Sequence, residues 1–290
     1  MIDSLPTLIA PLSEAAFFEL LRTRSIVFQR AADPTRFAGL LDWDGLMAAI
    51  GDGAIPRQSV RVRRGGSPTP SQIYAPAGRI DMANLTRLLD RGASLAATPL
   101  ERQAPALDAL CADISNRIGE VVYAGAIMTM GDGGDFGLHF DPQDLLILQL
   151  EGSKRWRMYG PPAPVPGASR SAPPSPGDEP VFDETLEPGD LLFVPAGYWH
   201  LCDGCTSRSL HAGIFIEPPT AWHALNALLA KVLREEVFRA PLTRVGGPEA
   251  RAAHEAALKA RLIQAIEQTS LADMLALYAA AQATSDPPQG

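Results

Sequence analysis

Pro188-Gly189-Asp190-Leu191-Leu192-Phe193-Val194-Pro195-Ala196-Gly197-Tyr198-Trp199-His200 reads as a turn, a short buried strand and a second turn in succession. Pro-Gly-Asp starts a chain reversal, Leu191 to Val194 is apolar throughout, and Pro195 and Gly197 end the strand so that a histidine follows at a fixed distance. A second segment upstream, Gly137-Leu138-His139-Phe140-Asp141, carries a histidine and an aspartate two positions apart. Residues two apart on an extended segment point to the same side, so His139 and Asp141 can address one point together while His200 arrives from elsewhere. Two imidazoles and one carboxylate form the ligand set that holds a non-haem Fe(II) on one face and leaves its other positions open. His-x-Asp triplets alone are common among ordinary core histidines and turn aspartates; the strand that delivers His200 is what favours a metal site here.

The run His139-Phe-Asp-Pro-Gln-Asp-Leu-Leu-Ile-Leu-Gln-Leu-Glu-Gly-Ser-Lys-Arg-Trp156, with Glu187 to His200 and Ser209-Leu-His-Ala-Gly213, resembles the cupin-like JmjC family, in its branch of bacterial ribosomal-protein hydroxylases. The resemblance implies a mainly β core with flanking helices, a double-stranded β-helix of the jelly-roll kind, followed by a helical C-terminal segment. It also implies Fe(II) on His139, Asp141 and His200, with 2-oxoglutarate and O2 as the other reactants. The expected activity is hydroxylation of an amino-acid side chain in a protein or peptide, such as a ribosomal protein or a peptide natural-product precursor. An N-methyl demethylase or a small-molecule hydroxylase would use the same iron centre, and a non-catalytic metal-binding cupin protein would share the fold.

Lys154 matches the place where this family keeps a Lys or Arg for the distal carboxylate of 2-oxoglutarate. Read alone, a lysine in a Lys-Arg-Trp-Arg run is a solvated charge. Strand alternation puts Lys154, Trp156 and Met158 on one face and Arg155, Arg157 and Tyr159 on the other, and a lysine beside Trp and Met reads as buried. Many relatives carry an Asn-x-Tyr pair upstream of the first histidine and a threonine after the Ser-Leu-His. Here Gly125, Ile127 and Gly213 stand at those positions, and neither glycine nor isoleucine replaces an amide or a phenol as a hydrogen-bonding group. Thr129 survives from the same stretch and is a cosubstrate-binding candidate. His211 is expected to face the barrel interior, as a substrate-facing group or a partner to the metal ligands, with simple packing as the plain alternative.

The 290 residues suffice for one large domain or a domain with an appendage, and a formal charge of −8 argues against a broad nucleic-acid-binding surface. The Met-Ile-Asp-Ser-Leu-Pro start has no basic flank or apolar h-region, and no apolar run reaches spanning length, so a cytoplasmic protein with no membrane partner is expected. Three cysteines make no disulfide framework, and Cys202-Asp-Gly-Cys205 lacks the second pair a zinc site needs, so it reads as a turn between core strands.

The pattern divides the chain into a mixed α/β region at 1–118, the β core at 119–217, and a helical segment at 218–290. Within the first, 59–62 read as extended, while 17–21, 85–89 and 107–118 read as helical. Residues 161–180 are rich in Pro, Ser, Ala and Gly and read as a loop. After 221 an apolar stripe of Trp222, Leu225, Leu229 and Val232 is expected to cover the barrel or to form a homodimer interface, and one long helix is expected over 248–281.

Overall fold

In a computed structural model, the described residues are 2–100, 104–131, 136–160, 177, 179–203, 207–243 and 245–284. Eleven strands are present among them. They are β1 (Val27–Gln29), β2 (Val60–Arg64), β3 (Ser67–Pro68), β4 (Ser94–Ala97), β5 (Val121–Met130), β6 (Asp144–Glu151), β7 (Lys154–Tyr159), β8 (Phe182–Leu186), β9 (Leu191–Val194), β10 (Trp199–Asp203) and β11 (Arg208–Glu217). The larger sheet has the order β1-β9-β6-β11-β5-β4-β2-β3, and a smaller one has the order β10-β7-β8. From β8 to β11 consecutive strands alternate between the two sheets, as in the jelly-roll architecture.

Burial explains which residues can occupy β6 and β9. Leu145, Ile147, Leu192 and Val194 point between the sheets, where Trp156, Met158, Leu186 and Cys202 meet them. The alternate residues Leu146, Leu148, Leu191 and Phe193 pack on the other side, against Leu5, Leu8, Phe17, Leu107, Leu110 and Ile114 of N-terminal helices. A strand covered on both faces has no polar face to show, which is why these runs are continuously apolar. A second layer of helices, Trp43–Asp52 and Met82–Asp90, covers Val60, Val62, Leu95 and Met128 from β2, β4 and β5. Asp42 and Asp81 cap these helices through their side chains, accepting from the N–H groups of Gly45 and Asn84.

The helices expected over 17–21, 85–89 and 107–118 lie within Glu14–Thr23, Met82–Asp90 and Pro105–Ile118. Ser59 closes a 3₁₀ turn, Arg57–Ser59, rather than beginning the strand, which starts at Val60. Most of the 161–180 loop, and Cys205, lie outside the described residues.

The Pro188-Gly189-Asp190 turn is fixed by its aspartate, which is 1% exposed. Asp190 accepts from the N–H groups of Ala31 (2.7 Å) and Glu187 (2.9 Å) and from Arg30 Nη1 (2.8 Å). Gly189 has a φ of +89°, and a Cβ there would lie 2.5 Å from the Asp33 carbonyl oxygen, so only glycine fits the approach. Asp190→Ala strands two backbone donors and is expected to cost about 1–3 kcal/mol of stability, read from the shift in denaturant midpoint. Asp190→Asn, which keeps an acceptor, should lose less. An Ala variant as stable as wild type would show that the turn does not depend on this carboxylate.

Two compact units are distinguished: residues 1–118 with 122–217, and residues 119–121 with 218–290. In the second, the helix Ala221–Val232 buries Ala224, Ala227, Leu228 and Val232, and Leu228 and Val232 meet Ala265. Of the expected stripe, Val232 is buried and Leu229 packs against the same cluster, whereas Trp222 is 68% and Leu225 41% exposed. The expected single helix over 248–281 is two, Gly247–Glu267 and Leu271–Thr284. At the break, Ser270 Oγ accepts from the Asp273 N–H at 3.1 Å while Asp273 Oδ2 accepts from the Ser270 N–H at 3.2 Å, a capping box that starts a new helix.

Candidate active site

The two histidine segments are joined by their backbones before any side chain is considered. The N–H of His139 donates to the His200 carbonyl at 3.1 Å, and the N–H of His200 donates to the His139 carbonyl at 2.7 Å. Gly197 N–H reaches the Asp141 carbonyl at 2.8 Å. His139 thus sits at an isolated bridge rather than in the regular strand its spacing with Asp141 suggests, while His200 is the second residue of β10 rather than part of the turn.

The side chains then converge. Asp141 Oδ2 lies 3.5 Å from His200 Nε2 and 3.9 Å from His139 Nε2, and one donor atom from each residue falls within 4.8 Å of the others. His139 Nδ1 is 2.8 Å from the Gly137 carbonyl and His200 Nδ1 is 3.1 Å from the Tyr198 carbonyl. A carbonyl only accepts, so each ring carries its hydrogen on Nδ1 and turns the Nε2 lone pair toward the aspartate. This is how metal-ligating histidines are oriented by their outer partners, and the donor set fits a divalent ion that prefers imidazole and carboxylate. His200 is buried, whereas His139 and Asp141 are about one-third exposed, so the cluster opens on their side.

Behind it runs a polar seam. Lys154, fully buried, donates from Nζ to Thr129 Oγ1 at 3.0 Å, and Thr129 Oγ1 lies 2.9 Å from Ser94 Oγ. The seam is made by register: β4 pairs with β5 so that Ser94 faces Thr129, and Lys154 opens β7 directly after the Gly152 turn. Gly152 has a φ of +60°, and a Cβ on it would fall 1.8 Å from the Arg208 carbonyl oxygen. Along the inward face of β7, Trp156 comes between Lys154 and Met158, the residue opposite His200, with its ring centroid 5.7 Å from that of His200 and 5.4 Å from that of His211. His211 is buried on β11 opposite Gln149, its ring plane at 69° to that of Trp156.

At two of the positions that depart from the JmjC pattern, Gly125 and Gly213, nearby side chains take up the space. A Cβ on Gly125 would lie 2.8 Å from Thr98 Oγ1, so the Thr98 side chain occupies the space a larger residue would take. A Cβ on Gly213 would lie 3.1 Å from the ring of Phe215, which stacks on Tyr123 with centroids 5.0 Å apart and planes 5° from parallel. Ser94, Thr98 and Trp156 are site residues that the sequence reading did not single out. Alternation along β7 already put Trp156 beside Lys154, whereas Ser94 becomes visible only through the pairing of β4 with β5, and Thr98 only through the approach of the segment just after β4 to Gly125.

Asp144, at the start of β6, ties this site to the turn before β10, accepting from the Ala196 N–H at 2.6 Å. Burial pushes its carboxyl above the ordinary carboxylate range, against the opposing pull of that hydrogen bond and of Arg24. A group whose pKa is raised by folding contributes stability that is fully present below its unfolded pKa, about 3.9 for Asp, and lost as pH rises through the folded value. Asp144→Asn keeps the acceptor and removes the charge. Its stability relative to wild type is expected to rise with pH across that window and then level off, in denaturant melts at a series of pH values; a difference independent of pH would contradict this.

Strands in two facing sheets, with a His-x-Asp and a distant His at one end, define a cupin-type metal-binding barrel. Residues 101–224 match the JmjC domain family. Among curated proteins it is similar to human ribosomal oxygenase 1, with 28% identity over 256 residues that cover 82% of this chain and 39% of the relative. It is also similar to the bifunctional lysine-specific demethylase and histidyl-hydroxylase NO66 of Drosophila willistoni, with 29% identity covering 60% of this chain and 23% of the relative. The chain therefore spans about two fifths or less of the length of these relatives. Among solved structures, the ribosomal oxygenase YcfD of Escherichia coli in complex with cobalt and 2-oxoglutarate superposes with a TM-score of 0.59 at 18% identity, covering 89% of this chain and 68% of that one. That likeness is one of fold. No helix among the described residues is long and apolar enough to cross a membrane.

Proposed function

We propose that this protein is an Fe(II)- and 2-oxoglutarate-dependent oxygenase that hydroxylates an amino-acid side chain in a protein or peptide. The observation that carries the reading is the convergence of His139, Asp141 and His200 at one end of a barrel that holds a buried lysine, Lys154, further in. His139, Asp141 and His200 would hold the iron. Lys154 and Thr129 receive the distal carboxylate of 2-oxoglutarate, for which a buried ammonium is a suitable point charge. When bound, iron with 2-oxoglutarate and O2 supplies an oxidant able to hydroxylate a C–H bond, with succinate and CO2 as co-products. The chain's own residues do the rest. The Nδ1 hydrogen bonds to Gly137 and Tyr198 hold both imidazoles in register, and the apolar walls of Ile147, Trp156 and Met158 keep water from the interior. His211 packs against Trp156 and steadies the ring that lies on His200.

The relatives named ribosomal oxygenase make a ribosomal protein the first substrate to test, in a cytoplasmic setting. The relative named as both demethylase and hydroxylase favours N-methyl demethylation as the second reading. Mass spectrometry of candidate peptides after reaction separates them: a gain of one oxygen supports hydroxylation, and loss of a methyl group with formaldehyde supports demethylation. The exposed Trp222 and Leu225 suit a homodimer through the C-terminal helices. Light scattering of wild type and Trp222→Glu checks this, a monomeric wild type being the contrary result.

A further inference from the structure

Of the interior side chains of β7, Lys154, Trp156 and Met158, Trp156 carries an N–H donor to which the oxygenase reading gives no role. It is 3% exposed, and its Nε1 is fully buried with no hydrogen-bond acceptor among the described residues. An indole N–H can only donate, so the group needs an acceptor from outside its own side chain. Gln149 Oε1 is also buried and unpartnered, so the two groups do not meet, and the Gln149 amide N–H is spent on the Ser209 hydroxyl and on backbone carbonyls. Position narrows the choice of acceptor. Trp156 follows Lys154 by two residues on the same buried face, and it stands opposite Cys202, two residues beyond His200. Its ring lies on the His200 ring and meets the His211 ring in a T-shaped contact. Along β7 the indole therefore stands between the buried lysine and Met158, the residue opposite His200, so a molecule reaching from the ammonium to the metal-ligand cluster runs along its face of the strand.

Resting on the cofactor reading above, we infer that Trp156 is a cosubstrate-binding residue whose Nε1–H donates a hydrogen bond to a carboxylate oxygen of 2-oxoglutarate. A third donor from the barrel wall bears directly on the loss of an amide and a phenol at Gly125 and Ile127: part of the polar contact that those residues cannot make comes from β7 instead. Phenylalanine at 156 keeps a ring to lie on His200 and removes only the donor.

The test uses the full chain loaded with Zn(II), which is diamagnetic and does not turn over. In protein with ¹⁵N-labelled tryptophan, the indole proton resonance that is missing from Trp156→Phe is expected to move downfield when 2-oxoglutarate is added. By calorimetry, Trp156→Phe is expected to bind 2-oxoglutarate about tenfold more weakly, the loss of one hydrogen bond to a charged group, with Zn(II) affinity unchanged. Should that variant not fold, single Phe replacements of Trp43, Trp199 and Trp222 assign the Trp156 resonance by elimination. Binding of 2-oxoglutarate with an unmoved Trp156 resonance overturns the inference and leaves the oxygenase reading standing. A wild-type protein that binds no 2-oxoglutarate overturns both.

Discussion

His139→Ala is expected to lower the affinity for Fe(II), or for Zn(II) as its redox-inert stand-in, by more than the roughly 10- to 100-fold typical of losing an outer-shell partner. It removes one of three donor atoms that lie within 4.8 Å of one another. The remaining His200 and Asp141 cannot enclose an ion on one face. The fold should tolerate the change, because the bonds between His139 and His200 that join their segments are made by backbone atoms and survive it. The side chain is also about one-third exposed, so little packing is lost. A metal titration paired with a thermal melt reads the two effects separately. Weak metal binding with a near-normal melting temperature is the expected result, whereas undiminished affinity would place the metal elsewhere.

Lys154→Met should do the reverse, leaving metal affinity intact and weakening 2-oxoglutarate by about 30-fold or more, since truncating one partner of a buried, hydrogen-bonded charge pair costs about 2–5 kcal/mol. Methionine keeps the length of the stem in an apolar setting beside Trp156 and Met158, and it removes the ammonium that bonds Thr129. Calorimetry on the Zn(II) protein reads the affinity directly. The same experiment with succinate as ligand asks whether the lost interaction is with the distal carboxylate, which both molecules carry. Equal affinity in variant and wild type would remove Lys154 from the cosubstrate site and leave it as a structural lysine bonded to Thr129.

How much of this was legible in the chain depends on the range of the contacts involved. The strand Leu191–Val194 and the inward face of Lys154, Trp156 and Met158 follow from local alternation and turn chemistry, signals that lie within a few residues of the groups they place. The grouping of His139 and Asp141 with His200, by contrast, was legible only as a ligand set and a family resemblance, because the bridge that joins the two segments is non-local. Ser94 and Thr98 were not legible as site residues, because Ser94 is placed by the pairing of β4 with β5 and Thr98 by the approach of the segment just after β4 to Gly125, non-local contacts that no short window encodes. That approach explains why Gly125 is glycine: the Thr98 hydroxyl stands where its Cβ would go. The break between the last two helices was readable and missed. Ser270-Leu-Ala-Asp273 is a capping sequence inside an otherwise unbroken helical pattern, without the glycine or proline that usually marks an end. Trp222 illustrates the opposite limit, since an apolar stripe at helical spacing states that a face is apolar but not what covers it, and the face that this helix buries is the one bearing Ala224 and Leu228.

The most direct test of the oxygenase reading is 2-oxoglutarate turnover by the anaerobically reconstituted Fe(II) protein on exposure to O2, followed as succinate, with ribosomal-protein peptides present and absent. Succinate formation that requires both iron and O2, rises with a peptide that gains one oxygen, and disappears in His139→Ala is the expected result. Tight iron binding with no 2-oxoglutarate consumed under any of these conditions would contradict it, and would make the barrel a metal-binding protein without oxygenase chemistry.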